Sequence, residues 1–305
     1  MPKAPGDPWL AAWAAEIPRT LSGIANAMQA GRLTEPVVHK SRRELKRLRS
    51  LLLLAPDSSA ALADETREIT GDLRRSLGLS RDAAVMLKTL SSLSEDLGEA
   101  ACRIEPVLSS HHRVVCATLD RSSRRSDRDR IVRLGAIWRG RPVRGDLADL
   151  RRQTVRTYRR ARRRATELAR GQEAALHPLR KVAVDHQNHL AFFAADAKGK
   201  IAKRHATVKR LRDRLGLCHD LEVLRDFVRT RADISAGDLI KLEEVLGKRH
   251  RRLLDKAVKI AETLFGDRPR DFERWFRDEI GRVRQDEEPK VPAQAQRNLA
   301  NLQDP

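Results

Sequence analysis

The chain has 305 residues, 40% hydrophobic and 34% charged, which is enough for a sizeable core in one large domain or two ordinary ones and excludes a disordered chain. Sixty-two Lys and Arg against 42 Asp and Glu leave a formal charge of +20. An excess that large points to a polyanionic partner (nucleic acid, an acidic membrane surface or polyphosphate) and away from a neutral small-molecule substrate.

In chain order, almost every segment repeats its apolar residues at helical period, with no alternating strand pattern. A first helix is expected over residues 8–30 and a second over 34–55, with Thr34 as N-cap and Pro36 in its first turn. A third covers 59–77 and stops at Gly78. Residues 80–139 hold one or two long helices, interrupted near Glu105-Pro106 and in the charged stretch 121–130. The segment 140–145 (GRPVRG) reads as a linker. Helices then follow over 146–170, 173–195, 198–215, 219–231, 237–265 and 269–284, and a polar tail over 286–305 is expected to be disordered. Cys102, Cys116 and Cys218 lie far apart, which fits a reducing, cytoplasmic compartment and neither a disulfide framework nor a zinc site. The N-terminus lacks the pattern of a signal peptide, and the most apolar run, 51–55, is far too short to span a bilayer. The fold class is all-α.

The pattern restarts after the linker. A shift of 138 residues without a gap places His39 on His177, Arg42 on Arg180, Arg43 on Lys181, and Leu73-Arg74 on Leu211-Arg212. The same shift superposes Leu77-Gly78-Leu79 on Leu215-Gly216-Leu217, Asp82 on Asp220, Val85 on Val223, and His112-Arg113 on His250-Arg251. One shared offset through His, Gly and Asp positions marks an internal repeat. The expected architecture is two tandem four-helix bundles, residues 8–140 and 146–285, related by a pseudo-two-fold.

Turned at about 100° per residue, the second helix carries His39, Arg42, Arg43, Lys46 and Arg49 along one stripe, with Val38, Leu45, Leu48 and Leu52 opposite. In the second half His177, Arg180 and Lys181 repeat the start of the stripe, and Leu179, Ala183, Leu190 and Phe193 supply its buried side. Such a stripe is often only a solvated face. Here the acidic partners that solvated faces usually carry are nearly absent, Glu44 and Asp185 being the only carboxylates near. A further helix, 146–170, aligns Arg152, Arg156, Arg159 and Arg163. Guanidinium groups donate bidentate bonds to phosphate oxygens, and a histidine at the head of each stripe adds a donor when protonated. His186 and His189 fall among apolar positions, which favours a structural role over ligand contact.

The elements H-x-x-R-[KR]-x-x-K-x-x-R at His39 to Arg49, H-x-x-R-K at His177 to Lys181, and L-G-x-x-[RH]-D-x-x-V at Leu77 to Val85 and Leu215 to Val223 resemble the CHAD domain, the conserved histidine α-helical domain. The resemblance covers residues 8–284. It implies two pseudo-symmetric bundles, a basic cavity that binds inorganic polyphosphate, and association with polyphosphate granules. It designates His39, Arg42, Arg43, Lys46, Arg49, His177, Arg180 and Lys181 as binding residues.

Val184 and Gln187 stand where the second stripe would continue, so polyphosphate is expected to be held mainly by the first half. Arg74 and Arg212 join the candidates as equivalent positions near the Leu-Gly turns, and Arg156 and Arg159 join them from the 146–170 stripe. His112 and His250 are divided between cavity lining and helix surface, and His111 and His205 are read as surface. Asp82 and Asp220 read as helix N-terminal caps or as orienting groups for the basic residues, rather than metal ligands. The paired glycines read as permitting tight helix ends. With no P-loop, no metal-spaced histidines and no nucleophile beside a base, neither catalysis nor a cofactor is expected. Non-specific nucleic-acid binding is the alternative; with aromatics at 4%, stacking platforms for bases are scarce. Membrane adhesion is not expected, because Trp9 and Trp13 read as core packing of the first helix.

Overall fold

Helical periodicity becomes helix throughout the residues that the computed structural model describes, 7–29, 35–117, 121–194, 199–231 and 233–286. Among them there is no strand. The helices are α1 (Pro8–Gln29), α2 (Glu35–Leu51), α3 (Ala60–Ser76), α4 (Gly78–Ser91), the single turn α5 (Ser94–Leu97), α6 (Glu99–Ala117), α7 (Arg121–Gly140), α8 (Leu147–Ala169), α9 (Leu176–Phe193), α10 (Lys200–Arg229), α11 (Ala236–Phe265) and α12 (Pro269–Asp286). None is long and apolar enough to cross a membrane. The proposed Thr34 cap and the tail beyond Asp286 lie outside the described residues.

Local chemistry sets several boundaries. Gly145 turns the linker into α8 with a φ of +147°, and a Cβ there would sit 2.9 Å from the Pro56 side chain. Asp146 then caps α8: its carboxylate accepts from the Asp149 N–H at 3.1 Å, while the Asp149 carboxylate accepts from the Asp146 N–H at 3.3 Å. Three expected breaks are absent. Pro106 lies inside α6 with both it and Cys102 exposed, so water can satisfy the carbonyl that proline leaves unbonded. The charged stretch 121–130 belongs to α7, which Ile131, Leu134 and Trp138 anchor in the core. The second Leu-Gly element runs through the unbroken α10, where burial of Leu211, Leu215 and Cys218 outweighs the roughly 1 kcal/mol that glycine costs a helix interior.

Part of the packing follows the 138-residue shift, while α8 also lies against α11 without a matching α1–α6 contact among the main pairs. In the first half α1 lies on α2 and α7, α2 on α3, and α4 on α6. In the second half α8 lies on α9 and α12, α9 on α10, and α10 on α11. Between halves α2 meets α9, α4 meets α10, and α1 meets α8. Each of these pairs joins helices that the shift equates.

The α2–α9 seam is polar as well as apolar. Ser50 Oγ is 2.8 Å from the Asp185 carboxylate and accepts from Asn188 Nδ2 at 3.0 Å. His189 Nε2 donates to the Ser50 carbonyl at 2.7 Å, and complete burial pushes its imidazole down to about 4. His186 is equally buried, among Tyr158, Phe265 and Phe272, and is held neutral well below the usual range. Trp9 packs on Phe192 and Phe193. Trp13 is fully buried and donates to the Leu51 carbonyl at 2.8 Å, tying α1 to the end of α2. Trp13→Phe should therefore cost about 1–3 kcal/mol, the penalty of a buried acceptor left unpaired, read as a lower urea midpoint with an unchanged m-value.

Candidate functional site

Val38, Leu45 and Leu48 of α2 are buried, as the apolar face predicts. The opposite, basic face is not simply solvated. With α9, α3 and α4 packed around it, Arg42 is only 8% exposed, and Lys46 and Arg49 are half-buried. Arg42 Nη1 donates at 2.7 Å to the carbonyl of Arg74, in the last turn of α3, where a cation meets the negative end of the helix dipole. Arg49 Nη1 donates to the Arg67 carbonyl one α3 turn-pair earlier.

Two glycines make room for these side chains. A Cβ at Gly78 would lie 3.3 Å from Arg42 Nη1, and one at Gly71 would lie 2.7 Å from Arg49 Nη1. Gly78 stands at the junction of α3 and α4 as expected, and the tight-end reading is corrected for Gly216 alone. Neither Gly78 nor Gly216 has positive φ; Gly78 accommodates a guanidinium, and Gly216 stands mid-helix with open space around it.

Around Arg42 and Lys46 gather Arg74 at the end of α3, Arg81 of α4 and Arg180 of α9. Two carboxylates join them: Arg81 reaches Asp82 of α4 at 3.0 Å and Asp220 of α10 at 3.3 Å. Both aspartates therefore orient basic residues and are not N-terminal caps. Asp82 is in the second turn of α4, and Asp220 lies deep inside α10. Five cations thus face two anions, Asp82 and Asp220. The excess is felt most by Lys46, which burial first and then Arg180, Arg42, Arg81 and Arg74 push down to about 8. Burial also lowers Arg42 and Arg180, with Asp82 and Asp220 respectively opposing it. Arg49 is pushed down to about 10 by burial, then by Arg67 and Arg74.

A row of imidazoles adjoins this cluster. His177 lies 5.1 Å from His219, ring to ring. Glu222 is 3.8 Å from His219 Nδ1 and 3.3 Å from His250 Nε2, and these two histidines hold its carboxyl down at about 2. His177 is shifted below the usual imidazole range by burial, then by Lys181, His219 and Arg180. Among the described residues, no group of three or more His, Cys, Asp or Glu side chains is arranged to hold a metal ion.

The candidates from sequence separate accordingly. Arg42, Lys46, Arg74 and Arg180 come together, with Arg49 adjacent through Arg74. His177 and His250 join through His219 and Glu222. Lys181 is exposed beside His177. His39 and Arg43 are exposed on the outer edge of α2, Arg43 being 3.8 Å from Glu44. Arg212 is engaged by Gln187 at 2.8 Å and by Asp213 at 2.5 Å.

Arg156 and Arg159 stand apart. They are exposed on α8, Arg156 bonded to Gln153 and Arg159 3.8 Å from Glu273; Arg152 and Arg163 likewise have Asp149 and Glu167, so this stripe is a solvated face. His112 contacts Cys116 Sγ at 3.4 Å, unlike its counterpart His250. The surface readings of His111 and His205 are also corrected: His111 packs on Phe227 at 4.5 Å, and His205 lies 3.3 Å from Gln187 Nε2. Sequence reasoning passed over Arg81, His219 and Glu222 as site members. The coincidence of Asp82 with Asp220 was the signal for Arg81, since two neighbouring carboxylates need a shared cation.

A family model described as CHAD domain matches residues 13–229, from α1 to the end of α10. The chain belongs to the CHAD domain family. Among solved structures, PptA from Streptomyces chartreusis is similar over 84% of this chain and 98% of its own, with a TM-score of 0.60 at 14% identity, a likeness of fold. No curated protein matches the chain. Within the CHAD fold as this chain builds it, the five cations are contributed by α2, α3, α4 and α9, and Asp220 by α10.

Lys46→Met should raise the melting temperature of the ligand-free protein below pH 8. The folded-state value near 8 lies below the usual 10.5, so the cost of the charged lysine is fully present at lower pH. It is relieved as pH rises from about 8 towards 10.5, and the advantage of the variant should shrink over that window. Thermal scans at pH 7 and pH 10 check this.

Proposed function

We propose that this chain binds inorganic polyphosphate, and that Arg42, Lys46, Arg74, Arg81 and Arg180 form the centre of the site. The observation that carries the reading is the convergence of these five cations on two carboxylates among the described residues, Asp82 and Asp220. A linear polyanion supplies closely spaced charges that relieve several repulsions at once, and guanidinium forks fit its oxygens. Family membership supports the same ligand. His177, beside Arg180 and Lys181, gains a proton when a phosphate approaches, because an added negative charge favours the imidazolium. The role is binding rather than catalysis, in the cytoplasm, with recruitment to polyphosphate granules as its setting. The two halves, 8–140 and 146–285, act as pseudo-two-fold mates whose equivalent helices α2 and α9 carry the two central arginines, Arg42 and Arg180.

Nucleic acid is disfavoured as the preferred ligand because large aromatic side chains serve the core. Trp13, Tyr158, Phe193, Phe272 and Phe276 are among the largest fully buried side chains, which leaves them unavailable for stacking bases.

Replacing Arg42, Lys46 and Arg180 together by Met should abolish polyphosphate binding while leaving helicity intact. Competition between long-chain polyphosphate and DNA, matched for phosphate at physiological salt, should favour polyphosphate. Equal competition would leave only a generic basic surface. Affinity should also fall with rising pH in two steps, the first beginning below pH 6.5 as His177 loses its proton in the free protein and the second above about 8 as Lys46 does. A flat profile would remove both from the site.

A further inference from the structure

The central cluster continues on one side only. Arg74 influences both Lys46 and Arg49, and Arg49 in turn faces Arg67 and Arg75, so an arm of guanidinium groups follows α2 and α3 away from the centre. Gly71 lets this happen by leaving the space that the Arg49 guanidinium crosses. The carboxylates on the arm do not neutralise it firmly. Asp64 pairs with Arg67 at 3.1 Å with its side chain 75% exposed, and Asp72 pairs with Arg75 while half exposed. Exposed i,i+3 pairs of this kind contribute little and yield readily to a competing phosphate. Asp185, the third, is turned to Ser50, and burial raises its carboxyl above the usual range.

In the second half, the 138-residue shift puts Gln187, His205, Arg212 and Asp213 where Arg49, Arg67, Arg74 and Arg75 stand. Lys209, exposed, takes the place of Gly71. There the one arginine of the four is already held by the Gln187 amide and the Asp213 carboxylate, and Gln187 also meets His205. The equivalent surface is a closed polar network with a formal charge of +1 over these five positions, against +4 in the first half.

We propose that the Arg49–Arg67–Arg75 arm is a second phosphate subsite, filled only by a chain that overruns the central cluster. It makes the protein a reader of polyphosphate length, with the bound chain leaving the centre along the first half. This rests on the polyphosphate reading of the centre. An oligomer short enough to lie on the five central cations gains nothing from the arm, whereas a long chain adds contacts at Arg49, Arg67 and Arg75.

The test compares tripolyphosphate with long-chain inorganic polyphosphate by calorimetry on the full chain. Arg67→Ala with Arg75→Ala should weaken the long chain about tenfold and make its log K against log salt shallower by about 1 to 2, as the loss of two phosphate contacts requires. Tripolyphosphate affinity should not change. Lys209→Ala with Arg212→Ala removes the same charge from the other half and should have little effect on either ligand. Gly71→Ala keeps every charge and displaces only the Arg49 guanidinium, so it should also lower long-chain affinity without lowering the melting temperature. Equal losses from the two double variants, or equal losses for the two ligands, would overturn the arm. Wild-type protein that binds neither phosphate ligand would instead overturn the reading of the centre.

Discussion

Everything distinctive about this molecule depends on like charges held together at a helix seam. Two cations about 6 Å apart repel by roughly 3 kcal/mol at an effective dielectric near 20. Arg42, Lys46, Arg74, Arg81 and Arg180 converge with Asp82 and Asp220, among the described residues, to offset them. The surrounding core supplies the restraint. Leu45 and Leu48 on α2 and Leu179 and Ala183 on α9 are fully buried, so neither helix can turn its basic residues outward without exposing them. Arg42 is further fixed by a helix-end carbonyl, and Arg81 by two carboxylates from different halves. The seam is therefore a place where stability has been given up, which is the usual condition of a binding site.

The histidines show how burial sorts one residue type into different jobs. His186 and His189 are completely buried and stay neutral, one against aromatic rings and the other as a donor to the Ser50 carbonyl. They fasten α9 into the core. His177, His219 and His250 keep partial access to solvent and surround Glu222, next to Arg180. Of these, His177 is shifted below the usual imidazole range by burial and then by its cationic neighbours Lys181, His219 and Arg180. His112, the repeat counterpart of His250, has Cys116 for a neighbour where His250 has Glu222, so the repeat preserves the residue without preserving its surroundings.

The two halves also use one motif differently. Leu77-Gly78 ends α3 and begins α4, and the bend brings Arg74 and Arg81 to the same cluster. Leu215-Gly216 passes straight through α10, so Arg212 turns to Gln187 and Asp213, while Asp220 still reaches Arg81. Elements that share their Leu-Gly-Leu, Asp and Val positions thus give a charged arm on one side and a neutralised network on the other. The flanking residues decide it, through Gly71 and Arg49 in one half and Lys209 and Gln187 in the other.

The sequence by itself determined the all-α class, the 138-residue repeat and the family, though not every helix boundary, because apolar period, glycine position and the spacing of His39, Arg42 and Lys46 are local properties of the chain. It also identified four of the five central cations. It did not separate them from the α8 arginines, which share their spacing but stand exposed beside Asp149, Glu167 and Glu273. Nor did it reveal that the α2 stripe faces α9 and α4 rather than water, or that Arg81 links Asp82 to Asp220. Those relations join residues up to 139 positions apart. Helical period fixes which side chains share a face, but only packing between distant helices decides what that face meets, and that packing is what turns a row of arginines into a half-buried cluster of like charges.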